Sequence, residues 1–365
     1  MAYCENLEQQ ETVLAGRFEA AKSYLKKLSD AADAARKKSW SPPKGISSEE
    51  YRKYTVPFRV NVRKMLGYPP PGKILKAEQP ALKKIGRDED GTFYRVNLPL
   101  LKEGYQAYGL LIRPPNATAS LRKPLAVAIH GGGGTPEMAA GILGPSNYKD
   151  MGRRMARRGH TVWLPACYER TTFKTPQSID IHRILDRRAR LVGTTLSAID
   201  AFGIIKSTET LLASEEFVGK EAIVLGLSYG GFRALLASAL SDIFTVCISS
   251  CYFNDRRPEL ERYSAEGTFA DWFFDNLLNV ATDVELCRLI CPRPLFIEVG
   301  NKDKTFPVAG ARKAASEVRK TYRSLNLENL FGFDAFAGGH EFSGVKAFEF
   351  LDRLERRTSE KKIQK

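Results

Sequence analysis

From residue 125 onward, short apolar runs rich in β-branched residues alternate with longer stretches whose apolar positions recur every three or four residues. The runs predict strands at 125–130, 160–165, 221–227, 243–250, 294–299 and 330–336. The longer stretches predict helices near 147–158, 181–206, 229–240, 270–289, 308–325 and 343–356. This alternation is typical of an α/β protein with a mostly parallel sheet and helices on both faces. Ligands of such sheets bind at the carboxyl ends of the strands.

The first 124 residues follow a different pattern. Helical spacing covers 5–38 and 48–66, and proline-rich breaks at 40–45 and 68–72 follow these segments. Strand-like runs at 92–98 and 106–112 bring the predicted sheet to about eight strands. We therefore predict a helical extension over 1–72, an α/β domain over 73–357 and a basic tail over 358–365. The segment 254–292, between two predicted strands, is predicted to form a small lid insertion.

Length and composition fit one large α/β domain with additions, or two domains. The chain has 365 residues, of which 43% are hydrophobic, and this is ample for a core. No apolar stretch reaches the roughly 18 residues that a membrane helix needs, and the polar N-terminus has no signal-peptide pattern. We therefore expect a cytoplasmic protein that does not enter a membrane, unless an export signal is missing from the sequence.

The charge and the cysteines exclude some classes of function. The net charge is +14, but the 56 basic residues are dispersed along the chain, which indicates a solvated basic surface and no nucleic-acid partner. This charge could still steer anionic substrates to the protein. The six cysteines form no CxxC pair, and Cys247 and Cys251 follow an apolar run, so we predict buried thiols and no metal site. Nothing in the sequence indicates the oligomeric state.

The most informative segment is the run 222–227, which leads directly into Gly226-Leu227-Ser228-Tyr229-Gly230. A strand, a sharp turn and a helix are predicted in immediate succession, with a serine on the turn. This arrangement exposes the serine hydroxyl at the end of a strand, beside the N-terminus of a helix. Ser228 is therefore the predicted nucleophile.

A serine nucleophile needs a base, and the chain has only four histidines. His340 follows the last predicted strand and is the predicted base. His160 is expected to pack, and His182 to lie at the surface or face a substrate. Asp303 follows the strand 294–299 and is the predicted acid, because the order serine, aspartate, histidine fits this arrangement. Asp255, after the preceding strand, is its main rival, whereas Glu298 and Asp334 fall inside strands.

A serine nucleophile also needs N–H groups that stabilise the oxyanion formed during its reaction. The first is the N–H group of Tyr229. The second should come from the loop His130-Gly131-Gly132-Gly133-Gly134, where we choose Gly131 and Gly132. This loop lacks the features of a P-loop or a dinucleotide fingerprint, so no cofactor is predicted. Further candidates for substrate contacts are His130, which we mainly expect to position the loop, Arg187 in an arginine-rich helix, and Trp272 in the insertion.

Taken together, these motifs resemble the α/β-hydrolase superfamily. Within it, the chain looks like a bacterial group of dienelactone-hydrolase-like and acetyl-xylan-esterase-like proteins over roughly residues 50–355. The resemblance rests on 66–71, 130–137, 226–231, 252–256, 292–295 and 338–342. It implies the α/β-hydrolase fold and a serine esterase that uses Ser228, Asp303 and His340. Dienelactone hydrolases proper use a cysteine nucleophile, so the serine at position 228 argues against lactone hydrolysis.

Three functions follow as hypotheses. The first is a carboxylic-ester hydrolase that acts through an acyl-enzyme on a carbohydrate-linked or other bulky ester of acetyl, feruloyl or glucuronoyl type. The second is a serine peptidase of the prolyl-oligopeptidase-like type. Such enzymes carry a large propeller, which the roughly 120 residues before the first core strand cannot build. The third is a non-catalytic binding protein on a hydrolase scaffold, since a fold alone does not specify function.

Overall fold

The chain is represented by a computed structural model that describes residues 3–76, 79–115, 123–168, 181–214, 221–265 and 273–363. Its centre is one nine-stranded sheet with the strand order β1-β2-β3-β5-β4-β6-β7-β8-β9. The strands are β1 (Ala81–Asp88), β2 (Gly91–Pro99), β3 (Gln106–Arg113), β4 (Leu125–Ile129), β5 (Val162–Pro165), β6 (Ala222–Leu227), β7 (Phe244–Ser250), β8 (Leu295–Gly300) and β9 (Phe331–Phe336).

Strand direction divides the sheet into two parts. The strands β1, β2 and β3 pair antiparallel, and β3 also lies antiparallel to β5. All pairs from β5 through β4, β6, β7 and β8 to β9 are parallel. The carboxyl ends of six neighbouring strands therefore lie at one edge, as the mostly parallel sheet predicted from the sequence requires.

Helices cover both faces of this sheet. They are α1 (Leu7–Ser39), α2 (Ser48–Leu66), α3 (Pro136–Ala140), α4 (Met151–Arg157), α5 (Ile181–Leu191), α6 (Leu196–Ala213), α7 (Tyr229–Leu240), α8 (Arg256–Ala265), α9 (Leu277–Val280), α10 (Asp283–Ile290), α11 (Val308–Ser324) and α12 (Val345–Ile363). No helix among the described residues is both long enough and apolar enough to span a bilayer.

Alternation along the central strands separates two hydrophobic cores. In β4, Val127 and Ile129 join the core that contains α6, α7, α10 and α11. Ala126 and Ala128 point the other way, into the core with α3, α4 and α12. Successive strand residues face opposite sides, so both faces of β4 are buried. Cys247 and Cys251 are buried free thiols, as predicted.

The structure has one more strand than predicted. The additional strand, β1, lies at the edge of the sheet, and most of its side chains are exposed or half-buried. Lys83 and Lys84 sit near its middle, a composition that protects an edge strand from pairing with other chains. Its residues therefore lack the apolar alternation by which the other strands were predicted.

Helix boundaries also differ from the prediction. The single helix expected over 181–206 is two helices, α5 and α6, because Gly193 adopts φ +81° and Thr195 caps α6 through Ala198 N–H. The helix expected over 270–289 becomes α9 and α10, separated by the capping residue Thr282. The last helix continues to Ile363, past residue 357, where the basic tail was predicted to begin.

Candidate active site

Ser228 lies on the turn between β6 and α7. Its backbone has φ +59° and ψ −125°, a conformation that is strained for a residue with a side chain. The turn is crowded: a Cβ on Gly226 would lie 2.2 Å from the carbonyl oxygen of Gly230. A Cβ on Gly230 would lie 2.1 Å from the carbonyl oxygen of Ile129. These two glycines therefore allow the close packing that holds Ser228 at the end of its strand.

Asp303 and His340 meet at the same edge of the sheet, after β8 and β9. His340 Nδ1 lies 2.7 Å from Asp303 Oδ2, and Asp303 Oδ1 accepts hydrogen bonds from the N–H groups of Thr305 and Phe306. The His340 side chain is 28% exposed, whereas that of Asp303 is buried. Burial opposes ionisation of Asp303, but the bonds from His340 and the two N–H groups outweigh it and lower the pKa of the carboxyl. The pair can thus orient His340 and stabilise its protonated ring.

The rival acids are engaged elsewhere. Asp255 Oδ2 lies 2.5 Å from Lys313 Nζ, and Asp334 pairs with Lys346 at 3.0 Å. Of the acids considered from the sequence, Asp303 is thus the one that the structure places against His340.

The loop that carries His340 is anchored by a buried carboxylate that the sequence did not single out for this purpose. Glu298, inside β8, accepts hydrogen bonds from Ser250 Oγ at 2.9 Å, Ser343 N–H at 2.9 Å and Gly344 N–H at 3.0 Å. Burial, only partly offset by these donors, raises the pKa of Glu298 to about 7. The residues after His340 are therefore tied to the strand that precedes Asp303.

Cys251 supports the same loop from β7. Its thiol lies 3.3 Å from the carbonyl oxygen of Glu341, and burial raises the pKa of the thiol to about 12. Ligand atoms of Cys251, Asp303 and His340 lie within 4.8 Å of one another, the one such group found among the described residues. The thiol faces the carbonyl of Glu341, and Asp303 already accepts three hydrogen bonds, so each of these groups has partners within the protein. This cluster therefore fits the support of His340 better than a metal site.

The glycine loop, residues 130–134 after β4, lies against the turn 226–230 that carries Ser228, which we call the elbow. A Cβ on Gly131 would lie 2.9 Å from Ser228 Cβ, and Gly134 N–H donates to the carbonyl of Gly131 at 3.0 Å, closing a turn. The N–H group of Gly131 donates to Tyr148 Oη at 2.9 Å. Gly131 N–H is thus already engaged, which argues against the oxyanion role predicted for it and leaves Gly132 as the predicted donor of this loop.

The residue before Tyr148 reaches the other half of the site. Asn147 Nδ2 donates to the carbonyl of His340 at 3.1 Å, and the carbonyl of Asn147 accepts from Phe342 N–H at 2.8 Å. One short segment between β4 and α4 therefore contacts both the glycine loop and the loop of His340.

His130 lies beneath the glycine loop. It is 1% exposed, its Nδ1 lies 3.0 Å from the carbonyl of Gly131, and its Nε2 accepts from Cys167 N–H at 3.0 Å. Burial lowers the pKa of His130 to about 4, so the ring is neutral and carries its proton on Nδ1. These bonds position the loop, as predicted. They argue against the second role considered, a substrate contact, because the ring is buried and both of its nitrogens are engaged.

Comparison with known proteins yields no matching family model. The Bacillus subtilis protein named putative hydrolase YtaP is 26% identical over 132 residues. These residues are 35% of this chain and 44% of the relative, so the chain matches less than half of that protein's length.

Similar solved structures cover far more of the chain. A putative acetyl xylan esterase from Bacteroides fragilis has a TM-score of 0.62 at 16% identity, over 81% of this chain and 78% of that chain. A glucuronoyl esterase from Solibacter usitatus has a TM-score of 0.58 at 13% identity, over 84% and 93%. The glucuronoyl esterase from Caldicellulosiruptor kristjansonii has a TM-score of 0.54 at 18% identity, over 86% and 87%.

This chain has the α/β-hydrolase fold. The fold predicted from the sequence is thereby confirmed, including its parallel sheet, the helices on both faces and the additional N-terminal helices.

A buried ion pair packs against the elbow of this α/β-hydrolase fold. Arg233, in α7, pairs through Nε with Asp200 Oδ2 at 2.7 Å, and its guanidinium lies over the ring of Tyr229. Asp200 Oδ1 accepts from Tyr168 N–H at 3.0 Å, next to Cys167, which contacts His130. The elbow and the glycine loop are thus linked beneath the site. The signal in the sequence was an arginine inside an otherwise apolar helix.

The remaining predicted site residues lie around this frame or outside the described part of the chain. His160 is buried between Pro124 and Glu355, a packing position, as expected. His182 is buried too, with its ring edge-on to Tyr229 at 6.3 Å, so it faces the elbow. Arg187 is exposed on α5, and its substrate role stays a prediction. Trp272 lies outside the described residues.

An apolar cleft of about 410 Å³ opens beside Tyr168. Its walls come from the segment before β1, the turn between β2 and β3, and the helices α5 and α6. It is lined among others by Pro70, Leu101, Tyr105, Leu185, Arg188 and Ile199. Tyr168 N–H contacts Asp200, the partner of Arg233, whereas none of the predicted catalytic residues lines the cleft. The sequence did not predict it.

Proposed function

We propose that the protein is a serine carboxylic-ester hydrolase with Ser228 as nucleophile, His340 as base and Asp303 as the acid that orients it. The observation that carries this proposal is the 2.7 Å contact between His340 and Asp303 at the sheet edge where the strained Ser228 lies. A serine hydroxyl gains nucleophilicity only beside a base, and the base acts only in the right tautomer and orientation.

The first half of the proposed reaction forms an acyl-enzyme. Ser228 Oγ attacks the ester carbonyl while His340 Nε2 takes the hydroxyl proton, and Asp303 stabilises the resulting imidazolium. The negative charge on the carbonyl oxygen is met by the N–H groups of Tyr229 and Gly132. The C–O bond of the ester then breaks, and His340 gives its proton to the departing alkoxide.

The second half releases the acid. Water gives a proton to His340 Nε2 and attacks the acyl carbon, and the tetrahedral intermediate collapses with return of that proton to Ser228 Oγ. The products are one carboxylic acid and one alcohol, and the three residues return to their starting protonation states.

We further propose that the natural ester is bulky and linked to a carbohydrate. One observation supports this. Structures with the same fold include a putative acetyl xylan esterase and two glucuronoyl esterases, by their names. Within the segment 254–292, α10 belongs to the core, so we propose that only the part of the segment before α10 covers this site as a lid.

The test is a substrate panel with purified wild-type protein and Ser228→Ala. The panel contains p-nitrophenyl acetate, acetylated xylan oligomers, feruloyl sugar esters, glucuronoyl esters and aminoacyl-proline p-nitroanilides. We expect ester turnover in the wild type and a loss of at least about 10³-fold in Ser228→Ala, since removal of a triad member leaves only the donors and binding. A fluorophosphonate probe should label the wild type only.

The other outcomes are informative. Faster turnover of the proline amides than of every ester would favour the peptidase hypothesis. A folded wild type that neither reacts with the probe nor hydrolyses any ester would favour the binding protein and overturn the proposal. A Ser228→Ala variant with full esterase activity would place the nucleophile elsewhere.

A further inference from the structure

The first 26 described residues form an unusual surface. Every residue from 3 to 28 is exposed, and α1 makes its contacts with the rest of the protein through its last turns, where Arg36 pairs with the buried Glu285. This stretch nonetheless holds eight of the nineteen exposed large apolar side chains found among the described residues. They are Tyr3, Leu7, Val13, Leu14, Phe18, Tyr24, Leu25 and Leu28. Exposed apolar side chains concentrated in this way indicate an interaction surface.

Five of these residues lie on one stripe of the helix. The apolar positions Leu7, Leu14, Phe18, Leu25 and Leu28 follow one another at intervals of seven, four, seven and three residues. Together with Glu11 and Ala21 they occupy consecutive a and d positions of a heptad repeat, with Phe18 at a and Leu14 at d. A seam of this kind fits knobs-into-holes packing against a second helix. We propose that α1 pairs with α1 of a second copy of this chain as an antiparallel coiled coil.

Charge decides the direction of pairing. In a parallel pair, Glu11 would face Glu11 of the other copy, and Arg17 would lie opposite Lys22 at the flanking positions, so like charges would meet. In an antiparallel pair centred near residue 16, Glu11 faces Ala21. Glu8 then lies opposite Lys22 towards each end of the seam, whereas Arg17 lies opposite Arg17 of the other copy near its centre. The antiparallel arrangement therefore removes the contact between the two Glu11 side chains and gains two pairs of opposite charge, against one remaining pair of like charge.

The same register matches the apolar layers. Leu14 meets Phe18 of the other copy on each side of the centre, and Leu7 meets Leu25 at each end. In the single chain Lys22 pairs with Glu19 at 3.0 Å, but both side chains are exposed, so Lys22 can also reach Glu8 of the partner. From Leu7 to Leu25 the seam is about 27 Å long.

The test begins with the mass of the full-length protein in solution, by sedimentation equilibrium over a concentration series. We expect twice the 40.7 kDa of one chain. The double variant Leu14→Glu with Phe18→Glu places four carboxylates at the centre of the seam and should sediment as a single chain. The control Gln9→Glu with Ser23→Glu adds the same charge to the outward face of the same helix and should remain dimeric.

Two further readouts keep the result unambiguous. Circular dichroism and thermal unfolding of the seam variant show whether the rest of the chain still folds, because the substituted side chains of Leu14 and Phe18 are exposed. The orientation is read by cysteine pairing in a Cys4→Ser background, since Cys4 is exposed. Mixed Leu7→Cys and Leu25→Cys chains should form a disulfide with each other, whereas Leu7→Cys chains alone should not.

A wild type that sediments as one chain at every concentration would overturn the proposal. So would a dimer that persists in the folded seam variant, because the contact would then lie elsewhere. Efficient linking of Leu7→Cys chains to one another would replace the antiparallel arrangement with a parallel one.

Discussion

The two halves of the candidate site are held in place by different forces. Around Ser228, backbone packs against backbone, and glycines leave no room for a side chain at Gly226 or Gly230. Around His340, polar side chains fix the position of the loop. Glu298, Cys251 and Asn147 each form a hydrogen bond with its backbone. A Cβ on Gly339, just before His340, would meet no atom within 4 Å.

The difference teaches which changes each half tolerates. A packed turn resists added volume. The loop of His340 accepts volume at Gly339, although a Cβ on Gly300 would lie 2.0 Å from the carbonyl oxygen of Gly339, and the loop also depends on its polar anchors. The elbow should therefore fail mainly through size, and the loop of His340 through polarity as well as size.

The largest effect should come from Asp303→Asn, which breaks the polarity of the His340 half. The amide can no longer hold the tautomer that presents a basic Nε2, so kcat on p-nitrophenyl acetate should fall by about 10⁴-fold, or about 5 kcal/mol of barrier. Steady-state kinetics measures this. Asp255→Asn is the matched control and should stay within a few-fold of wild type, because its carboxylate faces Lys313. A larger loss in Asp255→Asn would exchange the roles of the two acids.

The second prediction compares the loss of unfolding free energy when one methyl group is added to each half of the site. Gly230→Ala places Cβ 2.1 Å from the carbonyl oxygen of Ile129 and should cost at least about 3 kcal/mol of unfolding free energy. Gly339→Ala adds the same atom to the His340 loop, where there is open space, and should cost less than about 1 kcal/mol. Urea unfolding followed by tryptophan fluorescence gives both values. Equal costs would show that the two halves are packed alike.

A third effect concerns pH and Glu298. The pKa of this carboxyl is about 7 in the folded protein, above its ordinary value of 4.5. As the pH rises between these values, the unfolded chain releases a proton that the folded chain keeps. Stability should therefore fall, by about 3 kcal/mol in total, and then level off above about pH 7.

The measurement is the unfolding free energy of wild type and Glu298→Gln across this pH range. The variant lacks the titration, so its stability relative to wild type should improve as the pH rises. Glu341→Gln serves as control, since that carboxylate is half-exposed and pairs with Lys149. If the unfolding free energies of wild type and Glu298→Gln change in parallel with pH, Glu298 does not cause the pH dependence of stability.

The sequence predicted the fold, and it predicted that Ser228, Asp303 and His340 lie at one edge of the sheet, because both depend on local signals. Alternating periods located the central strands, and Ser228, Asp303 and His340 each directly follow or closely follow a strand whose carboxyl end lies at the ligand-binding edge. The edge strand β1 was missed because solvent on both sides removes the apolar pattern. The break at Gly193 was missed because apolar residues continue on both sides of it.

The supporting residues could not be predicted in the same way. Glu298 contacts Ser250 and Ser343, which lie 48 and 45 positions away in the chain. Tyr148 acts through a contact with Gly131, and Arg233 through one with Asp200. Such contacts depend on how the sheet and the helices pack against each other, and the spacing of residues along the chain does not reveal this packing. A charged residue inside an apolar element, as with Arg233 or Glu298, is the one local trace they leave.

Asn147 and Tyr148 give the molecule a property that matters for redesign. Adjacent in the chain, they bind the His340 loop and the glycine loop, so one dipeptide links these two loops directly. Exchanging the β4–α4 connection for that of another protein would therefore shift the two loops relative to each other, even if Ser228, Asp303 and His340 were kept. Designs that alter this site should keep this dipeptide.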